Sequence, residues 1–286
     1  YKGLGTSTSK EAKEYFSEIN KLRLNFKYIN NEDDKSIELG FSKDEAESRK
    51  NWLLNFDPFN TYLNQTSGDI RYKNFINEEL IFFSYYDNIR SIPSLMDGLK
   101  PSERKIIFGC FKRNLHTEIK VAQLTGYVGE YTSYHHGEVS LSQTITALAQ
   151  DYVGSNNINL LLPLGQFGTR YNGIKGAASP RYIFTNLNPI TRKIFLESDD
   201  NLLLYNVDEG LKIEPVWYAP IIPMVLVNGA EGIGTGWSTS IPEYNPIELA
   251  KNIMRKIRGE NMEKILFGDK IEMLKLLEMK LITIYC

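Results

Sequence analysis

Ser133-Tyr134-His135-His136-Gly137-Glu138, Gln166-Phe167-Gly168-Thr169-Arg170 and Ser179-Pro180-Arg181-Tyr182-Ile183-Phe184 mark the stretch, residues 133–184, around which the chain is organised. Between the last two landmarks the sequence stays Gly-rich and basic through Gly173-Ile174-Lys175-Gly176. Residues 165–193 hold five Lys/Arg (Arg170, Lys175, Arg181, Arg192, Lys193) and no Asp or Glu. In a chain with 35 acids against 33 bases, such a run is suited to lie beside an anion. A tyrosine directly behind an arginine inside it is a candidate nucleophile toward phosphate.

The chemistry asks for that setting. A phenol with a pKa of about 10 is ionised in roughly one copy per thousand at pH 7, so it needs cations nearby to attack. Attack on a phosphodiester spreads charge over the non-bridging oxygens, which an adjacent guanidinium can clamp. A neutral imidazole can position the phosphate or the phenol. The product, a phosphotyrosine ester, keeps the bond energy, so the break can be resealed. Taken alone, an Arg-Tyr dipeptide is more often a half-buried strand residue beside a solvated one. A His-His pair is more often a loop or a cap.

Outward from this stretch, the 286 residues are 42% hydrophobic and 24% charged, an ordinary globular composition with room for two domains. No apolar run reaches the ~18 residues of a membrane span. No secretory leader is visible and Tyr1 has mid-sequence character, so a piece of a longer protein is expected. Cys110 and Cys286 make neither a disulfide framework nor a zinc site, which points to a reducing compartment. The net charge of −2 hides a strong division: residues 88–124 are net +4, residues 165–193 net +5 and residues 194–247 net −7. A duplex would lie on the positive stretches, with steep salt dependence.

Apolar spacing predicts a helix over residues 9–24 and another opened by Ser42-Lys43-Asp44-Glu45. A third runs from about Ile76 to Asn88, with Phe82, Phe83, Tyr85 and Tyr86 read as core rather than as a stacking platform. Glu32-Asp33-Asp34 reads as a solvated linker and Asp199-Asp200 as a turn, so no metal site is assigned. Further on, Ser102 and Ser140 are read as caps of helices that flank one spanning Lys120 to Glu130. Strand-like Leu160-Leu161-Leu162 and Arg181–Leu187 follow. Three short helices and a Gly-rich β-wing describe a winged helix-turn-helix, and the fold class is α+β. Arg90, Lys100, Arg104 and Lys105 are the candidate phosphate contacts, while Lys112 and Arg113 are left as solvated. Residues 217–227 read as a buried strand. In Gly229-Ala230-Glu231-Gly232-Ile233-Gly234-Thr235-Gly236 the glycine spacing does not suit a dinucleotide. Ile233 is either a buried turn residue or an exposed wedge that kinks a duplex. Asn245-Pro246 opens a helix through Ile257.

The three landmarks, together with Arg90-Ser91-Ile92-Pro93-Ser94, Asp97-Gly98-Leu99-Lys100-Pro101 and Asn228 to Trp237, resemble the DNA breakage-reunion core of eukaryotic-type (type IIA) DNA topoisomerase II. Order and spacing match over residues 1–259. The bacterial branch, with a proline between its histidines, fits less well. The resemblance implies four parts: residues 1–40 as the end of a TOPRIM domain, 41–85 as a helical linker, 86–215 as the winged-helix domain and 216–286 as the start of a tower domain. It implies Tyr182 as the nucleophile of a 5′-phosphotyrosine link, Arg181 as stabiliser of the pentacovalent phosphorus and His136 as positioner. His135, Gln166, Arg170 and Lys175 join the DNA contacts, and Ile233 becomes the intercalating residue. Ser102-Glu103 departs from the usual Gly-Gln ahead of Arg104. Mg²⁺ on upstream carboxylates, ATP on a separate domain, a homodimer, double-stranded DNA as partner and a nuclear location are implied as well. The alternatives are a non-catalytic DNA-binding and bending module and a purely structural dimerisation fragment.

Overall fold

The computed structural model describes residues 7–64, 68–134, 136–208 and 210–265. It divides into two compact units, Tyr1–Asn88 with Gly234–Trp237, and Ile89–Ile233 with Ser238–Cys286.

In the first unit α1 (Ser9–Ser17) opens on a capping box in which Thr8 Oγ1 accepts from the Glu11 amide and the Glu11 carboxylate accepts from that of Thr8. The helix expected to run on to residue 24 stops at Glu18, and α2 (Ile19–Leu22) follows. Tyr15, Phe16, Ile19 and Leu22 are exposed. Strand β1 (Asn25–Lys27) pairs in parallel with β2 (Asp69–Arg71).

The acidic run departs from expectation: it opens helix α3 (Asn31–Phe41) behind an Asn30 cap, and Asp33 is fully buried. Its carboxylate accepts from the amides of Ile29 (2.9 Å), Asn30 (3.3 Å) and Lys73 (2.9 Å) and from Arg71 Nη2 (3.3 Å). Burial raises the pKa of this carboxyl, but those donors outweigh burial and hold it well below the usual carboxylate range.

Ser42 caps a short 3₁₀ turn, Lys43–Glu45, that leads into α4 (Ala46–Leu54). Helix α5 (Tyr72–Phe75), a π turn (Ile76–Leu80) and α6 (Ile81–Ser91) run in succession. The aromatic quartet of that run divides. Phe82 and Tyr85 pack against Phe56 at 4.9 and 5.4 Å, whereas Phe83 and Tyr86 face solvent.

The second unit carries the helices read from periodicity, with different caps. Helix α7 (Pro101–Lys112) starts with Pro101 in its first turn and Lys100 as its cap, not Ser102. Glu103 accepts from the Lys100 amide at 2.8 Å, so this acid is part of a helix cap. Strand β3 (Ile119–Lys120) leads directly into α8 (Val121–Tyr131). Helix α9 (Glu138–Ala149) starts after Gly137, ahead of the expected Ser140 cap.

Strands β4 (Leu161–Leu164), β5 (Phe167–Thr169), β6 (Gly173–Ala177) and β7 (Phe184–Leu187) follow. β7 is the centre of an antiparallel sheet in the order β3-β7-β4, and β5 and β6 form the wing. Helix α10 (Thr191–Ile194) precedes the hairpin of β8 (Tyr205–Asp208) and β9 (Leu211–Pro215). Where a buried strand was expected, Met224–Val227 forms a short buried helix, α11. Strands β10 (Ala230–Ile233) and β11 (Ser238–Ile241) pair antiparallel, and Asn245 caps α12 (Pro246–Ile257) as read from the sequence.

One core holds the second unit together. Ile106, Ile107 and Cys110 of α7, Val121, Leu124 and Val128 of α8, and Leu141 and Ile145 of α9 are buried with Leu161, Ile183 and Phe195. Gly109 lets α7 and α8 approach, since a Cβ there would lie 2.8 Å from Val128 Cγ2. The boundary expected at residue 86 falls between Asn88 and Ile89. Packing marks no break at 216, because Tyr218, Met224, Val227, Tyr244 and Leu249 share the same core.

Candidate active site and nucleic-acid interface

Tyr182 does not sit in the strand where the sequence reading put it. Ser179-Pro180-Arg181-Tyr182 is a β-turn closed by the Tyr182 amide on the Ser179 carbonyl at 2.9 Å, and β7 starts two residues later. Pro180 stands at the second turn position, where its fixed φ suits this geometry. The turn is anchored from both sides. The Ala122 amide donates to the Pro180 carbonyl (3.1 Å) and the Val121 amide to the Ile183 carbonyl (3.0 Å). Two otherwise unpaired amides at the start of α8 are thereby satisfied. Ile183 is buried beneath, while Arg181 and Tyr182 on the turn are exposed, Tyr182 at 73%. The Arg181 guanidinium stands 5.9 Å from the centre of the Tyr182 ring. Rigid backbone and an open phenol coexist because anchoring falls on the residues around Tyr182.

Strand pairing adds a residue that the sequence reading counted only as charge. Lys120 pairs with Phe184 across β3 and β7, and its ammonium lies 5.8 Å from the Phe184 ring, two residues past Tyr182. No local signal marks Lys120, since only the sheet register brings it there.

The wing supplies more positive charge. Arg170 and Lys175 are exposed and have no ion-pair partner among the described residues. The Gln166 side-chain oxygen accepts from the Gly168 amide at 3.2 Å and so shapes the base of the wing. The sequence reading passed over Tyr171 at the wing tip, which is 96% exposed. The acid-free run is not acid-free in space: Arg192 forms two hydrogen bonds to Asp200 (3.1 and 2.9 Å) and lies 3.4 Å from the centre of the Phe111 ring.

His136 is exposed on the loop between α8 and α9, with its ring edge-on to Tyr134 at 5.4 Å. His135 lies outside the described residues. Arg90 is exposed at the end of α6, and Lys100 is half-buried at the start of α7.

Two of the expected phosphate contacts are engaged within the fold. Arg104 is buried, and its guanidinium donates to Asp97 twice (2.7 and 2.9 Å) and to the Leu99 carbonyl (2.8 Å). The Lys105 ammonium is bound to Glu214 at 2.8 Å and to the Thr132 carbonyl. Both cations neutralise buried carboxylates, a role that needs partners 7 and 109 residues away in sequence. Ile233 ends β10 with its side chain 78% exposed, which decides against the buried-turn reading.

A cleft of about 520 Å³ opens elsewhere, lined by Lys100, Glu103, Glu231 and Glu243 among others. Its lining acids outnumber its single lysine, and Tyr182 does not line it. Tyr182 itself is largely exposed, so the nucleophile candidate is open to a polymeric substrate. No group of three or more His, Cys, Asp and Glu that could hold a metal exists among the described residues. No helix among them is long and apolar enough to cross a membrane.

Comparison with known proteins gives matches over both units. Residues 90–275 match the family model for the A-type chain of DNA gyrase/topoisomerase IV, and residues 1–88 that of the C-terminal associated domain of TOPRIM. The chain is 58% identical over 271 residues to DNA topoisomerase 2 of Drosophila melanogaster, covering 91% of this chain and 19% of that protein. It is 57% identical to DNA topoisomerase 2 top-2 of Caenorhabditis elegans and 55% to DNA topoisomerase 2-alpha of Homo sapiens, in each case over 91% of this chain and 18% of the relative. The chain thus spans under a fifth of these relatives' length. Among solved structures it is similar to the DNA-binding, cleavage and re-ligation domain of Plasmodium falciparum topoisomerase II. The TM-score is 0.79 at 52% identity, over 95% of this chain and 37% of that one.

Proposed function

The chain belongs to the DNA gyrase/topoisomerase IV family, on its eukaryotic DNA topoisomerase 2 branch, and from that membership we propose that Tyr182 is the nucleophile of a type II topoisomerase. The observation that carries this reading is the exposed phenol on an anchored turn, with the Arg181 guanidinium beside its ring. The Tyr182 oxygen attacks a backbone phosphorus of duplex DNA. The P–O bond to the 3′-hydroxyl side breaks, and the 5′ phosphate stays on the protein. Religation is the reverse, with the 3′-hydroxyl attacking and the phenol leaving. Arg181 holds the non-bridging oxygens as charge builds on them. Lys120 adds to the positive potential, and His136 positions the phosphate or the phenol. Arg90, Lys100, Gln166, Arg170 and Lys175 hold the backbone, and Ile233 wedges a base step. Arg104 and Lys105 have no part in this contact.

Cutting both strands, passing a second duplex and resealing belong to the longer protein, as do ATP use, a homodimer and a nuclear location. Mg²⁺ does not fit the residues described in this chain: Asp33 is taken up by its amide and arginine donors and Asp200 by Arg192. The ion would be held by carboxylates outside the described residues. A second reading is a non-catalytic DNA-binding and bending module, which the exposed Ile233 favours.

The test is covalent capture. The intact protein is incubated with an end-labelled duplex, denatured and run on a gel. The wild type leaves labelled DNA linked to protein. Tyr182→Phe abolishes the linked species while binding under native conditions persists, and a linked species surviving in that variant moves the nucleophile elsewhere.

A further inference from the structure

We propose that Tyr171, at the tip of the β5–β6 wing, inserts its ring into the minor groove of the duplex within one helical turn of the phosphate attacked by Tyr182. The inference rests on the reading of Tyr182 above and assigns to Tyr171 a contact that sets where the duplex lies. Three observations carry it.

The first is exposure. At 96%, Tyr171 is among the most open large side chains in the molecule and gains nothing from its own fold. The second is rigidity beneath it. Gln150 Nε2 donates to the Phe167 carbonyl at 2.7 Å, and the Ala178 amide to the Gln166 carbonyl at 2.9 Å, tying down the wing's base. Near the tip the Asn172 amide donates to Thr169 Oγ1 at 3.3 Å. Gly168 has φ +101°, and a Cβ there would lie 2.3 Å from the Gly173 carbonyl oxygen, so the two strands are in direct contact. The ring is thus held out on a post, and little entropy remains to be lost on contact. The third is charge. Arg170 precedes Tyr171, Lys175 follows on β6, and neither has an ion-pair partner among the described residues.

A ligand that draws both cations and also covers an aromatic ring is a polyanion with apolar surface, which describes sugar and base edges flanked by phosphates. The major groove admits a helix or a β-ribbon, whereas the minor groove, about 6 Å wide, admits single side chains. A tip that offers one ring between two cations matches the narrower groove. The distance follows from the chain. The 11 residues from Tyr171 to Tyr182 span at most ~36 Å when fully extended, about one turn of duplex.

Hydroxyl-radical footprinting reads the minor-groove sugars directly. The intact protein on a duplex with one mapped cleavage site should protect a patch of sugars within about one turn of the scissile phosphate. Tyr171→Ala should expose that patch and weaken binding about 5- to 30-fold, the lower part of the range for losing one aromatic contact to a nucleic acid. Its salt slope should match wild type, because no charge is lost. Tyr171→Phe should keep both protection and affinity. An unchanged footprint and affinity in Tyr171→Ala would overturn the assignment, as would a lost patch more than one turn away. Covalent capture by the wild type on the same duplex separates the two readings. If the link forms but Tyr171→Ala behaves as wild type, this inference alone falls. If no link forms, the reading of Tyr182 falls first.

Discussion

Removing the Asp97 carboxylate should destabilise the second unit far more than any surface substitution. Asp97 is fully buried and accepts four hydrogen bonds: from Arg104 Nε at 2.7 Å, Arg104 Nη2 at 2.9 Å, the Leu99 amide at 3.0 Å and the Tyr218 amide at 2.9 Å. Asp97→Ala strands a guanidinium that is only 5% exposed and leaves two amides without their acceptor. Breaking a buried pair by removing one partner costs about 3–5 kcal/mol. Against a typical domain stability of about 5–15 kcal/mol that is at least about a fifth of the total. Urea unfolding followed by tryptophan fluorescence should show this loss, and a similar one for Arg104→Ala. Asp97→Leu combined with Arg104→Met should cost less than the two Ala variants added together, because neither charge is then left alone. DNA binding supplies the counter-test. At a temperature where Arg104→Ala is still folded, its salt slope should equal that of wild type, whereas loss of a true phosphate contact lowers the slope by about 1. A lowered slope with stability within about 1 kcal/mol of wild type would refute the structural role and restore the phosphate contact read from sequence.

Three other outcomes follow from the same geometry. Ile233→Ala should reduce duplex bending measured by energy transfer between end labels, and an unchanged angle would remove the wedge. Gly168→Ala should weaken DNA binding more than Tyr171→Ala does, because a Cβ 2.3 Å from the Gly173 carbonyl oxygen must reshape the whole wing; equal affinity to wild type would show that wing geometry is irrelevant to binding. Asp33 has a folded pKa held below its unfolded value of about 4. Its contribution to the first unit is therefore present above about pH 4 and lost as pH falls below that. The thermal midpoint of the wild type should drop over this range, and Asp33→Asn should flatten the drop; parallel curves would show that Asp33 is not the group responsible.

The helices and the basic run around the candidate site were legible in the chain. Helices α7, α8 and α9 follow from apolar spacing, because each buries one stripe and that stripe is a local pattern, and α12 follows from the Asn245-Pro246 opening. The absence of acids from 165 to 193 singles out the neighbourhood of Arg181 and Tyr182 in the sequence, whereas the turn at Pro180 was not read from it. The errors share one cause. Asp33, Arg104, Lys105 and Arg192 read as solvated or DNA-facing charges because a charged side chain carries no sign of its partner.

Some of those partners are near, Asp97 7 residues before Arg104 and Asp200 8 after Arg192, and others are far, the Lys73 amide 40 residues beyond Asp33 and Glu214 109 beyond Lys105. Local composition therefore identified the chemistry available to this protein: a phenol, a guanidinium and a field of positive charge. Which cations remain available to a phosphate was decided only when acids near and far along the chain folded against the others. The energy of a buried ion pair depends on a separation in space that the order of residues does not encode.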